Sequence, residues 1–298
     1  MLTNAQMVNN HQLNTQQLND IERLGNRCKM TDGNSLNVYP HILIQNRPMP
    51  CNVLYYQEEQ LIGCLSTFFF YEDTAELVVM VDPSFRRQGV ATHMLHRIMP
   101  LLLLQKIKHL VFPTPHGLND TWLTAKHFKY QNSEHQMQYK GNQPIALLLN
   151  NLTVRDATEV DVPVLCNLDS ACFPSSTHDM SKRFYRLLVD PHYKIFILHN
   201  NGVPIGKAHV YHPTDEVRLT DIAILPDRQG QGFGGYLLAY CVNHCLAAQQ
   251  HLIFLDVETT NQHALKLYKR LGFHVINAYD FWSIPSQIFL NGYGSSAK

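Results

Sequence analysis

Four glycines, Gly230, Gly232, Gly234 and Gly235, fall within six residues of this 298-residue chain. The stretch before them, 217–225, is apolar with β-branched residues and reads as a buried strand. After them, Leu237, Leu238, Cys241, Val242 and Cys245 recur at helical spacing. A strand, a glycine-rich turn and a helix start together make an anion site. The helix N-terminus offers unpaired N–H groups and partial positive charge, and glycine lets phosphate oxygens approach the backbone. The chemistry this stretch can do is to hold a phosphate-bearing ligand.

Two patterns fit the turn. Gly230, Gly232 and Gly235 match G-x-G-x-x-G, and Asp256 ends the next apolar stretch, where a ribose-binding acid would sit. That is the reading of an NAD-dependent dehydrogenase. The other pattern, Gln229-x-x-Gly232-x-Gly234, resembles the Q/R-x-x-G-x-G/A pyrophosphate loop of the GNAT superfamily of N-acetyltransferases. Local sequence leaves both open, so the elements around the turn must decide.

In chain order, residues 1 to about 12 are polar and read as loosely ordered. Leu13, Leu18, Ile21 and Leu24 predict a helix ending near Gly25. Strands are expected at 52–57 and 60–70, joined at Glu58-Glu59, and at 75–81. A turn follows at Asp82 to Ala91, then a helix that Pro100 shortens or kinks. A short strand at 109–112, another at 136–140 and a break at Gly141 to Pro144 complete the first half. The second half restarts at Leu152 with a short strand and helices at 161–172 and 181–189. Strands at 194–199 and 205–211 flank the hairpin signal Asn200-Asn201-Gly202. A strand at 251–257, a helix stopped by Gly272 and one or two final strands over 273–284 end the chain.

The halves repeat. Pro83-x-x-Arg86-x-x-Gly89-x-Ala91 aligns with Pro226-x-x-Gln229-x-x-Gly232-x-Gly234, an offset of 143 residues (Gln229 against Arg86). Each turn follows a hairpin, whereas a dinucleotide fold opens on its fingerprint strand and continues in parallel units. The first half also keeps R-x-x-G-x-A but not G-x-G-x-x-G. Finally, Asn261-x-x-Ala264-x-x-Leu267-Tyr268-x-x-x-Gly272-Phe273 resembles the N-x-x-A-x-x-L-Y-x-x-x-G-F segment of GNAT enzymes, especially the ribosomal-protein alanine N-acetyltransferases. The resemblance covers 152–284 and, more weakly, 13–140.

That resemblance implies an α/β (α+β) fold of two tandem GNAT-like domains, each a mixed, mostly antiparallel sheet flanked by helices. Residues 1–148 form a degenerate domain and 149–298 a catalytic one. It implies acetyl-CoA as cosubstrate, with its pyrophosphate on Gln229, Gly230, Gln231, Gly232, Phe233, Gly234 and Gly235, and Asn261 nearby. A backbone N–H among Ala223, Ile224 and Leu225 would polarise the thioester carbonyl. Asp256 matches the general base and Tyr268 the acid that protonates the departing thiolate; Asp221, Glu216 and Glu258 are rival bases. Plainer roles stand beside these: Tyr268 as a core residue, Asn261 as a helix N-cap, Asp256 as a surface acid, Arg228 as a solvated charge. The 172–189 region, with Phe173, Pro174 and His178, would border the acceptor, a primary amine on a small molecule or a peptide N-terminus. In the first half Leu123 stands where Tyr268 should, and Pro113 and Pro115 interrupt the strand that would carry a base, so that half is expected to be inactive. The architecture is similar to that of mycothiol synthase. Cys172 is the candidate should a covalent acyl-enzyme form.

Composition sets outer bounds. Lys plus Arg and Asp plus Glu are both 24, which argues against a broad basic face for nucleic acid. Seven cysteines, with no C-x-x-C, point to reduced thiols and a cytoplasmic setting rather than a disulfide frame. Cys241 and Cys245 read as core. The 17 histidines show no metal-ligand spacing, so no metal is expected. The Asn/Gln-rich start does not read as a signal peptide, and the longest apolar run is too short for a membrane span. The alternative to an enzyme is a non-catalytic acyl-CoA-binding scaffold.

Overall fold

The computed structural model describes residues 5–70, 73–173, 180–212 and 216–293. The chain forms two compact units, and they are not its two contiguous halves. The first comprises Met1–His135, Glu258–Thr260 and Asn277–Lys298; the second comprises Gln136–Val257 and Asn261–Ile276. The chain leaves the first unit after His135, and its C-terminal segment from Asn277 belongs to that unit.

The first unit has the sheet order β1 (Ala5–Asn10), β2 (Asn52–Gln57), β3 (Gln60–Phe68), β4 (Thr74–Val81), β5 (His109–Pro115), then residues 277–285 of β12 (Phe273–Pro285) and 129–135 of β6 (Lys129–Tyr139). Among the described pairings, all are antiparallel except β4 with β5. Central β3 is buried from Leu61 to Phe68 because helices cover both faces. On one face, Ile21, Leu24 and Cys28 of α1 (Thr15–Asp32) pack on Leu61, Cys64 and Phe68. On the other, Met94, Ile98 and Leu102 of α3 (Val90–Leu104) pack with Ile62 and Leu65. Each fully buried side chain of this size contributes about 1.5–3 kcal/mol relative to exposure.

The second unit continues from residues 136–139 of β6 through β11 (Ile253–Glu258), β10 (Val217–Ile224), β9 (Val203–Tyr211) and β8 (Tyr193–Asn200) to β7 (Leu152–Asp156). Its one parallel contact among the described pairings is β10 with β11. Leu237, Leu238, Cys241, Val242 and Cys245 of α7 (Phe233–Ala247) are fully buried against one sheet face, together with Leu265 and Tyr268 of α8 (Gln262–Arg270). The other face carries α5 (Val162–Cys172) and α6 (Ser181–Val189), through Leu165, Leu168 and Phe184.

The repeat is structural. β3, β4, the following single turn Pro83–Phe85 and α3 recur as β9, β10, Pro226–Arg228 and α7 at one constant offset of 143 residues (Val203 against Gln60).

Several expectations are corrected. The polar start is a strand: β1 pairs with β2 throughout, and Ala5 and Met7 pack on the core. An edge strand is held by backbone bonds, so polar composition does not bar it. The first helix runs through Gly25 to Gly33, whose φ of 78° ends it; Asn14 and Gln17 form its capping box. Pro113 and Pro115 extend β5 rather than interrupt it. The His116 N–H bonds Ala278 of β12, so by alternation positions 113 and 115 present their nitrogens to the opposite edge, where β4 has already parted. Pro100 lies inside α3, which continues to Leu104. Two short helices, α2 (Pro40–Leu43) and α4 (Asp120–Ala125), carry no periodic signal of useful length. The last strand is single and leads into α9 (Ser286–Tyr293), whose Phe289 fills the first unit's core beside Phe112 and Phe128.

Candidate functional site

In the second unit β10 and β11 pair only at Val217↔Ile253 and Arg218↔Phe254 and then separate. The gap opens toward the glycine-rich turn. β10 also bulges: its register against β9 shifts between Thr220 and Ala223, and Asp221 holds φ 50°. The Leu225 N–H donates to Ile205 O at 2.9 Å and is therefore committed to β9. By alternation Ile224 turns its amide to the other edge, the one facing the gap. Of the three amides expected to polarise a carbonyl, Ile224 is thus the one directed there. Gly206 permits this packing, since a Cβ there would lie 2.6 Å from Ala223 O.

Below the gap, Gln229 Nε2 donates to Ile224 O at 3.0 Å and fastens the loop to the end of the strand. Gly230 has φ 76° and open space where a side chain would be. Gly232 is the N-cap of α7 at φ 85°, ψ −5°, a geometry that suits glycine. The first helical bond is Tyr236 N–H to Gly232 O, so the amides of Phe233, Gly234 and Gly235 have no acceptor within the helix. These features fit a pyrophosphate: converging amides, a positive helix end and no Cβ in the way. Gln231 lies between the two left-handed glycines and is exposed.

The first unit reproduces the loop. Arg86 Nε donates to Val81 O at 3.1 Å, the counterpart of the Gln229 bond. Gly89 has φ 85°, ψ −1°, and Arg87, at φ 60°, takes the place of Gly230. β4 and β5 pair only from Thr74↔His109 to Glu76↔Val111 before parting. A cleft of about 550 Å³ opens there, lined by Arg86, Gly89, Val90, Phe112 and Trp122 among others. Two differences matter. β4 pairs with β3 in unbroken register, so the bulge is missing. The Arg86 guanidinium is also held by Asp32 in a two-pronged pair, both bonds at 2.7 Å.

The acid–base candidates separate. Tyr268 is buried in the α7–α8 core, its ring 6.2 Å from that of Phe273. Burial pushes its hydroxyl up to about 12, so it stays a protonated donor across ordinary pH. Asp256 lies on the face of β11 opposite Leu255 and Val257, and its Oδ2 is 3.0 Å from Arg218 Nη1. Glu216 also reaches Arg218, at 3.6 Å. Glu258 accepts from Thr260 at 3.3 Å and Arg228 lies 3.4 Å from Asp227. Asn261 caps α8, accepting from the Ala264 N–H at 3.1 Å. Leu123 is buried in the first unit. Burial raises the Cys172 thiol, which disfavours a thiolate nucleophile. Phe173 is described; Pro174 and His178 lie outside the described residues.

A charged cluster under α5 and α6 went unseen in the sequence. Lys207 and His209 share one face of β9 and are fully buried. Lys207 Nζ is 2.9 Å from Asp169 of α5 and 5.3 Å from the Phe173 and Phe184 rings. His209 Nδ1 and Arg183 Nη2 of α6 each lie 3.1 Å from Asp221 Oδ2. Burial alone would raise the Asp221 carboxyl, but His209, Lys207 and Arg183 together hold it well below the ordinary range. Burial pushes the His209 ring down, opposed by its bond to Asp221. The available signal was the pair of polar residues alternating within an otherwise apolar strand.

Among the described pairings each unit has a single parallel contact, which does not fit the parallel dinucleotide fold. Among the described residues no helix is long and apolar enough to cross a membrane. The model of the acetyltransferase (GNAT) family matches residues 18–117 and 162–273. The chain is 34% identical over 82 residues to the [ribosomal protein bS18]-alanine N-acetyltransferase of Escherichia coli (strain K12), covering 28% of this chain and 55% of that protein. It is 27% identical over 126 residues to the N-alpha-acetyltransferase RimI of Mycobacterium tuberculosis, covering 41% and 78%. A solved GCN5-related N-acetyltransferase from Sphaerobacter thermophilus shares the fold at TM-score 0.77 and 14% identity, over 95% of this chain and 96% of that one. With two matched regions that take in both glycine turns, the chain belongs to the GNAT acetyltransferase family and carries its domain in tandem.

Proposed function

We propose that the second unit transfers an acetyl group from acetyl-CoA directly to a primary amine within a ternary complex. The observation that carries this reading is the combination, in that unit, of the parted strands, the bulge at Asp221 and the Gln229–Gly235 loop. The first unit has the loop and the parting but not the bulge, nor a tyrosine at the Leu123 position. It is the degenerate partner, able at most to hold a ligand of the same class. A second reading, in which the whole chain only binds acyl-CoA, is disfavoured by the bulge.

Bound acetyl-CoA supplies an activated thioester. The Gln229–Gly235 amides would hold its pyrophosphate, and the Ile224 N–H would stabilise charge developing on the carbonyl oxygen. Tyr268 donates the proton that the leaving thiolate needs. Asp256, kept in place by Arg218, receives the proton of the acceptor ammonium through water. The acceptor approaches the face covered by α5 and α6. The names of two relatives, a [ribosomal protein bS18]-alanine N-acetyltransferase and an N-alpha-acetyltransferase, support a peptide N-terminus or a small amine as acceptor.

Calorimetric titration of the full chain with acetyl-CoA tests the binding half. One site, lost in Gly232→Glu and kept in Gly89→Glu, is expected. Two sites would assign the first unit a ligand of its own. No binding, or saturable NAD binding in its place, would end the proposal.

A further inference from the structure

The first unit contains another cavity, of about 510 Å³, at the end of β4 where β4 and β5 are still paired. Its lining includes the aromatic residues Tyr39, Phe70 and Phe281 and the acidic residues Glu76 and Glu134. Among its described lining residues there is no lysine, arginine or histidine. Nothing in the acetyl-transfer scheme uses it.

Glu76 is the unusual residue. It interrupts an apolar run, Ala75 to Val81, and its carboxyl oxygen Oε1 is sealed from solvent with no hydrogen-bond partner. Tyr39 bonds to the same carboxyl group, but that leaves Oε1 unserved. A buried acceptor without a donor is destabilising, and a buried carboxylate without a cation is more so. The surroundings show further constraint. Tyr39 holds φ 49°, uncommon for a residue with a side chain. Its ring meets Phe70 edge-on at 5.3 Å, and Phe70 is left 47% exposed. The duplicated scaffold does not explain the acid, because the residue 143 positions on is Leu219, buried in an apolar core.

We propose that this cavity binds the primary ammonium group of an organic amine, with an ammonium N–H donating to the Glu76 carboxylate and the aromatic residues Tyr39, Phe70 and Phe281 around the cation. A carboxylate accepts from an N–H donor, which a quaternary ammonium lacks. Aromatic walls attract cations through the negative face of the ring. A divalent metal is disfavoured, because the described residues hold no group of three or more His, Cys, Asp or Glu side chains placed to bind one. An anion would meet two carboxyl groups and no positive charge. The volume lies within the range of small-molecule sites, and Val111 gives the amine's carbon chain an apolar contact. The site stands apart from the second unit's chemistry and does not depend on it.

The proposal carries a pH signature. Burial pushes the Glu76 carboxyl up to about 7, opposed by the Tyr39 hydrogen bond. The groups facing it are Tyr39, from the segment before α2, and Glu134, from β6. An ammonium favours the ionised carboxylate, so affinity must rise with pH through 7 and binding below that value must release a proton. At about pH 6 a group titrating near 7 is only about one-tenth ionised, so affinity should be about tenfold weaker than at about pH 8.

The test is calorimetric titration of the full chain, without acetyl-CoA, using n-butylammonium, with n-butanol and tetramethylammonium as comparators. The expected result is a saturable site for n-butylammonium, no site for n-butanol and weaker binding of tetramethylammonium. Glu76→Gln should weaken n-butylammonium at least tenfold while acetyl transfer by the second unit is unchanged. Phe281→Leu should weaken it several-fold, and this variant together with the pH series decides the matter if Glu76→Gln fails to fold. Equal binding of n-butanol, a pH-independent affinity, or binding kept in Glu76→Gln but lost in Asp221→Asn would overturn the proposal. The last result would place the amine in the acceptor site.

Discussion

Gly89 and Gly232 offer a matched pair of perturbations. Both cap a 15-residue helix at φ 85° with ψ near zero, and a Cβ would meet its nearest neighbour at 3.5 Å (His93) and 3.4 Å (Leu149) respectively. The position two residues earlier tolerates a side chain, since Arg87 occupies it at φ 60° where the second unit has Gly230. The cap position has glycine in both units. Alanine at either cap should therefore destabilise its own unit by about the same amount, roughly 1–2 kcal/mol for a left-handed residue with a Cβ. The functional consequences should differ. Relaxation of the loop at Gly232 moves the amides of residues 233–235, so the same 1–2 kcal/mol is expected to raise the KM for acetyl-CoA about 5- to 30-fold. Gly89→Ala should leave KM unchanged. Denaturant midpoints and initial rates on the two variants supply the comparison. Equal stability losses with an unchanged KM in Gly232→Ala would refute the loop as the phosphate cradle. A matching rise in Gly89→Ala would refute the assignment of chemistry to the second unit alone.

Other expectations follow from buried charge. Lys207→Met strands Asp169 in the core and should cost about 3–5 kcal/mol, most of it recovered in the double variant Lys207→Met/Asp169→Leu, as urea unfolding would reveal. Glu76 is an acid whose folded value is raised, so its penalty is absent below the unfolded value near 4, grows as pH rises toward 7 and then levels. Glu76→Gln should thus stabilise the first unit by about 3 kcal/mol near pH 8 and hardly at all near pH 4, seen as a pH-dependent shift in melting temperature. Asp161, held low by Arg155 and Thr158, works in the opposite sense: its stabilisation is full above about pH 4 and is lost as pH falls further. Asp161→Asn should flatten the acid limb of the stability curve; an unchanged limb would count against the Arg155 pair.

The sequence made legible what local spacing determines. The loop from Gln229 to Gly235, the helix behind it and the offset between the units could all be read from residues close in the chain. Ser181–Val189 was bounded correctly because its apolar residues recur at one period. Less local features were hidden. The β1 strand has a polar composition and exists through backbone pairing to residues some forty-five positions away. β5 accepts two prolines only because its neighbour β4 departs, a fact of tertiary geometry. The division at 135/136, with 277–298 assigned to the first unit, reverses chain order and leaves no mark in composition. In the site, Tyr268 and Asn261 came from motif spacing, whereas Arg183 and Asp169 meet β9 and β10 only after two helices fold onto the sheet. The bulge at Asp221, which distinguishes β10 from its counterpart β4, involves no residue type that marks a bulge.

The central claim is that Tyr268 donates the proton in an acetyl transfer performed by the second unit. Its most direct test compares Tyr268→Phe with the unaltered chain in single-turnover transfer of acetyl from acetyl-CoA to an amine or peptide N-terminus, alongside calorimetric acetyl-CoA binding. The account predicts a rate lower by about 10²–10⁴ with acetyl-CoA affinity and melting temperature retained. An undiminished rate would remove Tyr268 from the chemistry, and no transfer to any amine by the unaltered chain would contradict the account as a whole.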